Sequence, residues 1–275
     1  MKKINVAYCG NVAKVADEIF LSDYFTLQKV FVEKNKVNSD ILTFCCLREV
    51  ELEIVENKKD LELLVRNVPK LDCLIVCGFG IIISQSLIDF IPAYNFHPGK
   101  LPNYKGRHPT FFATINGEPT IDITLHKIAS GIDEGDIIKI LPIKYRFGEN
   151  EADLTIKLPQ AIEVMLPILF DYIKGNTLSY PNIGGKYYPP VTLKNKTFTV
   201  DNKPSKILRI IKAQAIYDGG LFSHEGITYK TSSGKIDLLK KEYNIFERLV
   251  YFEKNIIGIA IDDSFFLRLY FNKKS

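Results

Sequence analysis

Short apolar runs alternate with amphipathic stretches over the first 145 residues. Residues 4–8 read as a strand, with Gly10 as the turn after it, and the spacing of Val12, Val15, Ala16 and Ile19 predicts a helix over 11–20. A second strand over 27–32, a helix over 36–48, a third strand over 51–55 and a helix over 58–67 follow. Residues 71–77 (LDCLIVC) form a continuous apolar run of the kind buried on both faces of a parallel sheet. A short helix over 84–90 and a strand over 93–97 complete the series. Strand–helix repeats with short connections imply an α/β fold, a doubly wound, mostly parallel, Rossmann-like sheet. Such a sheet binds ligands beyond the carboxyl ends of its strands.

The pattern then changes. Residues 121–129 and 136–146 predict two strands joined by the tight segment SGIDEG, and a long helix is expected over 151–174, bent or split by Pro159 and Pro167. Residues 176–200, rich in Asn, Gly, Pro and Tyr, read as a connector. A short helix over 205–215 precedes a stretch over 220–275 that alternates like antiparallel strands, with turns expected at SSGK (232–235) and IDDS (261–264). The expected organisation is an α/β domain over 1–180, a connector over 181–204 and a smaller α+β or all-β C-terminal domain over 205–275.

Composition narrows the class. The chain has 275 residues, 46% hydrophobic and 25% charged, an ordinary globular balance with enough length for a sizeable core. No window approaches the roughly 20 uninterrupted apolar residues that a membrane span needs. The amino-terminal apolar stretch is broken by Asn5, Asn11 and Lys14, so it reads as a strand and turn. A cytoplasmic protein with no membrane partner is expected. Five cysteines without a CxxC pair argue for buried, reduced thiols. Charge is uneven: residues 186–275 carry 16 Lys/Arg against 9 Asp/Glu, a net of +7, leaving −3 on the remainder. Such a basic tail suits phosphates on a nucleotide or a nucleic acid, or is simply a solvated lysine-rich surface.

The first turn, YCGNVAKVAD, holds one glycine and no GxGxxG, so a nicotinamide dinucleotide site is unsupported. The informative block is YNFHPGKLPNYKGRHP, residues 94–109. Asn95 and His97, two apart on a predicted strand, share one face at its carboxyl end. Pro98, Gly99, Pro102, Gly106 and Pro109 shape a loop that carries Lys100, Asn103, Lys105 and Arg107, suited to an anionic substrate or merely basic and solvated. In TLHKIASGIDEGDII (124–138), Asp133 sits in a turn flanked by Gly131 and Gly135. Asp133, Glu134 and Asp136 lack the twelve-residue calcium pattern, and His97, His126 and Asp133 lack zinc-site spacing, so no metal is expected. His126 follows Ile123 and Leu125 and fits a core histidine as well as a site residue. An Asn, a His and an Asp without a Ser or Cys nucleophile motif divide the labour in a particular way. Asn and His donate to a developing oxyanion, while Asp fixes the His and helps remove protons. The nucleophile then comes from the substrate, which suits acyl or formyl transfer onto an amine.

NFHPGKLPNYKGRHP followed, after a helix and a strand, by GIDEGDII resembles the signature of the 10-formyltetrahydrofolate-dependent formyltransferases, over roughly residues 1–180. The resemblance implies a catalytic trio of Asn95, His97 and Asp133, with 10-formyltetrahydrofolate as co-substrate and no metal. It implies a pterin pocket built largely from backbone at Ile81, Ile82 and Ile83 and at Ala129, Ser130, Gly131, Ile132 and Asp133. It also implies that Asn95 and a protonated His97 stabilise the oxyanion while Asp133 holds the His charge. Within the family, GKLPNYKGRHPTFFATINGEP is similar to the sugar N-formyltransferases of surface-polysaccharide pathways, whose loop carries Arg where this chain has Lys105. The stretch EKNKVNSDILTFCCLREVE lacks the Gly/Arg/Lys-rich insertion of the tRNA enzymes, and DEGD replaces the Asp-Gly-Gly turn usual in glycinamide ribonucleotide enzymes. KILRIIKAQAIYDGGLFSHEGITY resembles the opening of the sugar enzymes' carboxyl domain, partly shared with the tRNA enzymes. The implied acceptor is a nucleotide-linked aminosugar destined for O-antigen, lipopolysaccharide or capsule. Methionyl-tRNA formyl transfer and a non-catalytic folate- or sugar-binding module are the alternatives; nucleic acid is not the expected partner. The aromatic C-terminal domain suits a homodimer contact, an accessory nucleotide site or plain core.

Overall fold

The computed structural model describes residues 2–144, 151–214, 219–238, 250–253, 255–260 and 265–271. Two compact units emerge: residues 1–106, 120–144 and 156–187 form the first, and residues 107–119, 145–155 and 188–275 the second.

The first unit opens with β1 (Ile4–Cys9), α1 (Ala13–Leu21), β2 (Phe25–Glu33), α2 (Ser39–Arg48), β3 (Glu51–Val55) and α3 (Lys58–Arg66). It continues with β4 (Cys73–Val76), α4 (Gln85–Phe90), β5 (Ala93–His97) and the short β6 (Lys105–Gly106). After α5 (Pro109–Asn116), which belongs to the second unit, come β7 (Thr120–Lys127), β8 (Ile137–Lys144) and the long α6 (Glu151–Ile173). The sheet order is β3-β2-β1-β4-β5-β7-β8, with β1 to β5 parallel and β7 and β8 antiparallel to their neighbours. Order reverses between β1 and β4, the topological switch point. There Gly10 has no room for a side chain, since a Cβ would stand 2.3 Å from the Cys77 carbonyl oxygen.

Side-chain alternation divides the sheet into two faces. Val6, Tyr8, Cys73, Ile75, Tyr94 and Phe96 join α1, α2 and α6 in one apolar cluster. Ala7, Cys9, Leu74, Val76 and Ala93 join α3 and α4 in another. Helix starts follow sequence cues: Asn38, Asn57 and Ser84 each accept a backbone N–H from the first turn of α2, α3 and α4. The helix expected to bend or split at its prolines is one element from Glu151 to Ile173, with Pro159 and Pro167 inside it. Each proline removes one backbone bond, but Ala161, Ile162, Met165, Leu166, Leu169 and Phe170 are buried between and beside them. Continuous apolar burial outweighs the two missing bonds. Four cysteines are buried and Cys46 is exposed, a departure from the expectation for all five. Burial pushes the Cys77 thiol up to about 12.

The unit boundary falls within β9 (Tyr187–Tyr188), and the second unit contains α5, α7 (Leu193–Lys196), β10 (Thr197–Phe198) and α8 (Pro204–Ala213). β11 (Gly220–His224), β12 (Ile227–Leu238), β13 (Val250–Glu253), β14 (Ile256–Ala260) and β15 (Phe265–Phe271) follow. Their sheet runs β10-β11-β12-β15-β14-β13 over a core of Phe198, Ile207, Ile210, Ile211, Phe222, Ile257, Leu267 and Leu269. The turn expected at SSGK is absent: β12 runs through it, with a register shift between Thr231 and Ser233. The small residues serve a bulge and a close approach, since a Cβ on Gly234 would lie 2.8 Å from Leu269 Cδ2. The turn expected at 261–264 lies outside the described residues. Among the described residues no helix is long and apolar enough to cross a membrane.

Candidate active site

β5 turns Tyr94 and Phe96 into one apolar core, so alternation presents Asn95 and His97 on the opposite face. β7 lies antiparallel beside it, with His126 opposite Asn95 and Thr124 opposite His97. Four polar side chains therefore share one face of two adjacent strands. His97 is 4% exposed, Thr124 0% and His126 2%, while Asn95 is half-buried.

Buried polar groups must be paired, and the pairings fix the protons. His97 Nε2 lies 2.6 Å from the Tyr104 carbonyl oxygen and His126 Nδ1 lies 2.6 Å from that of Lys127, so both nitrogens are assigned as N–H donors. Asn95 Nδ2 then donates to the bare His126 Nε2 at 3.1 Å, leaving its second N–H free. Thr124 Oγ1 donates to the Gly99 carbonyl at 2.6 Å and accepts from Leu101 N–H at 3.2 Å, tying the loop after β5 to β7.

Asp133, in the β7–β8 loop, has a φ of +54°. Its Oδ2 accepts from Gly106 N–H at 2.9 Å and lies 3.5 Å from His97 Nδ1, while Oδ1 lies 3.6 Å from His126 Nε2. The sequence-predicted trio of Asn95, His97 and Asp133 is thus brought together, with His126 at its centre. Burial raises the Asp133 carboxyl, but His126 and His97, wherever they carry a proton toward it, and the Gly106 N–H outweigh it, and the net direction is down. Burial holds His97 below its ordinary value; Asp133 pulls it up and His126 pushes it down, and burial prevails. Asp133 is favoured as the carboxylate, and with Nε2 given to the Tyr104 carbonyl it is the Nδ1 of His97 that faces it. Burial thus works against the protonated His97 that the family resemblance implies, and the Asp133 carboxylate works for it.

The loop side chains are placed differently. Lys100 is exposed, with Nζ 3.8 Å from Asp122 Oδ2. Asn103 is exposed. Lys105, expected at a loop tip, is 8% exposed with Nζ 3.9 Å from Glu134, because its backbone N–H donates to the Lys186 carbonyl and draws the residue inward. Arg107 is exposed and belongs to the second unit. Ile83 is buried, and Ile81 and Ile128 pack on the same cluster as Ala93, on the face that carries Asn95 and His97. Ile82 and Ile132 are 61% and 47% exposed, apolar side chains open to solvent beside these two backbone segments. Ala129 and Gly131 are half-buried and Ser130 is exposed. Among the described residues no group of three or more His, Cys, Asp or Glu side chains is arranged to hold a metal ion.

Sequence reasoning missed Thr124 and Asn182 and left His126 undecided. Asp122, Thr124 and His126 alternate with Ile121, Ile123 and Leu125, a period of two that marks a polar face on an otherwise buried strand. Asn182 had no such signal.

Residues 29–163, which include Asn95, His97, Thr124, His126 and Asp133, match the model of the family described as Formyl transferase. This stretch is similar to the formyl transferase family. Among curated proteins, methionyl-tRNA formyltransferase of Francisella philomiragia is 27% identical over 299 residues, covering 100% of this chain and 93% of that protein. Methionyl-tRNA formyltransferase of Fervidobacterium nodosum is 38% identical over 91 residues, covering 33% of this chain and only 26% of that protein. Among solved structures, WlaRD, a sugar 3N-formyl transferase crystallised with dTDP and 5-N-formyl-THF, aligns at a TM-score of 0.73 and 18% identity over 100% of both chains. The N-formyltransferase of Helicobacter canadensis, in complex with folinic acid and dTDP-3-aminofucose, aligns at 0.72 and 19% over 99% of this chain and 100% of that one. At 18% and 19% identity these alignments show a likeness of fold alone.

Proposed function

We propose that this chain transfers a formyl group from 10-formyltetrahydrofolate to the amine of a nucleotide-linked amino-deoxysugar. The observation that carries the chemistry is that Asp133, from the β7–β8 loop, meets the sheet face that holds Asn95 and His97, within the residues that match the formyl transferase family. The folate is placed against the 81–83 and 129–133 segments, which offer backbone groups and the exposed Ile82 and Ile132 to a flat heterocycle. The co-substrate supplies the formyl carbon and the N10 leaving nitrogen. Asn95 donates its free Nδ2 hydrogen to the formyl oxygen as the amine adds and the oxygen gains charge. His97 Nδ1, bare at rest, accepts the proton released by the attacking nitrogen, and Asp133 stabilises the imidazolium so formed. The same Nδ1–H then returns the proton to the departing nitrogen, leaving His97 neutral as it began.

The sugar acceptor is supported by two sugar N-formyltransferases that align with the chain from end to end. A second reading, methionyl-tRNA as acceptor, is supported by a sequence relative of that name spanning the whole chain and by the +7 charge over residues 186–275. One experiment separates them. The protein is incubated with 10-formyltetrahydrofolate and either a panel of UDP-, dTDP- and GDP-linked aminosugars or methionyl-tRNA, and mass spectrometry reports which gains a formyl group. A formylated aminosugar is expected. Formylation of methionyl-tRNA alone, with binding that weakens steeply as salt rises, would replace the sugar reading. No turnover with any amine would leave a folate- or sugar-binding module.

A further inference from the structure

Asp133 holds a left-handed backbone conformation, uncommon for a non-glycine residue although Asp tolerates it better than most, so its neighbours matter to keeping it. Asn182, in the segment after α6, holds it here: its Nδ2 donates to the carbonyl oxygens of both Asp133, at 2.8 Å, and Gly135, at 3.0 Å. The side chain is 8% exposed, and Oδ1 has no partner, so the two carbonyls alone set the amide's orientation. A flipped amide would face oxygen to oxygen twice. The segment is itself anchored two residues earlier, where Tyr180 exchanges backbone hydrogen bonds of 2.8 and 2.9 Å with Ile137 at the start of β8. On the far side of the turn Gly135 is pressed against the Lys127 carbonyl, where a Cβ would stand 2.0 Å from the oxygen. From this frame the Asp133 carboxylate projects to Gly106 N–H, His97 Nδ1 and His126 Nε2.

We infer that Asn182 is a positioning residue: it locks the 133–135 turn so that the Asp133 carboxylate faces His97 and His126. Its kinetic consequence rests on the formyl-transfer reading; its structural consequence does not. The groups facing His97 are Asp133, His126 and the Tyr104 carbonyl. In Asn182→Ala the carboxylate that raises the His97 proton affinity recedes, while burial and His126 remain.

The test is a histidine NMR titration of the full chain, wild type against Asn182→Ala, with kcat and KM measured on the acceptor that the wild type formylates. The His97 midpoint is expected to move to lower pH, and kcat to fall about 10- to 100-fold with little change in acceptor KM, as for a reacting group displaced by about an ångström. A folded Asn182→Ala protein with a wild-type midpoint and wild-type kcat overturns the assignment. If thermal melting shows that Asn182→Ala does not fold, Asn182→Ser, which keeps one donor, is read by the same two measures. Intermediate shifts then support the clamp, and wild-type values overturn it. A shifted midpoint in a protein whose wild type formylates nothing supports the clamp and sinks only the catalytic reading.

Discussion

The strand face made by β5 and β7 and the loop that follows β5 are neighbours in the chain but are built on opposite terms. On the strands, Asn95, His97, Thr124 and His126 are fixed by cross-strand register, and every hydrogen bond described for them ends on another polar group of the same unit. On the loop, Lys100 and Asn103 stand in solvent, and Lys100 reaches Asp122 only at 3.8 Å. Groups that move protons need a set geometry and a shifted acidity, which burial provides. Groups that meet a variable polar ligand need freedom and water. The difference predicts that substitutions on the face act on kcat, whereas substitutions on the loop act on acceptor KM.

The largest effect that sharpens this contrast is on the face. Asn95→Ala and Asp133→Asn should each lower kcat by about 10²- to 10³-fold, the cost of removing one well-placed electrostatic group, as read by steady-state kinetics with a saturating aminosugar. His97→Ala is the poorer probe, since it empties a buried position and removes a hydrogen bond to the Tyr104 carbonyl. Next comes Thr124→Val, which strips Gly99 and Leu101 of their partner. Leaving these buried backbone groups unpaired should cost about 1–3 kcal/mol in chemical denaturation. A third effect is pH-dependent. His97 binds its proton less readily folded than unfolded, so the unfolded chain takes up protons first as pH falls through the ordinary imidazole value of 6.5. Asp133, also lowered, adds to the loss further into acid, below its ordinary 3.8. Urea midpoints should decline below pH 6.5 and flatten in His97→Asn. The smallest effect is expected at Asn103→Ala: stability within about 0.5 kcal/mol of wild type, kcat unchanged and acceptor KM raised. An unchanged KM would remove Asn103 from acceptor recognition.

Much of this was legible in the sequence, for identifiable reasons. The all-apolar CLIV of β4 and the alternation of AYNFH over β5 specify buried strands, and the second places Asn95 and His97 on one face without further information. Asp133 is legible because glycines flank it. His126 was ambiguous because a buried histidine on an apolar strand looks the same from sequence whether it packs or donates; only its register opposite Asn95 decides. Asn182 was invisible, since its two bonds cross 49 and 47 residues and its surroundings, PNIGG, read as an ordinary connector. SSGK misled because a β-bulge and a tight strand contact use the same small residues as a turn.

The proposed chemistry depends on burial lowering the proton affinity of His97 while Asp133 beside it is held as the carboxylate. The most direct measurement is the pH dependence of kcat/KM, corrected for ionisation of the acceptor amine, in wild type and His97→Asn. The account predicts an acid limb in the wild type with a midpoint below 6.5 that disappears in His97→Asn. A limb at or above 6.5, or one that survives the substitution, would contradict it.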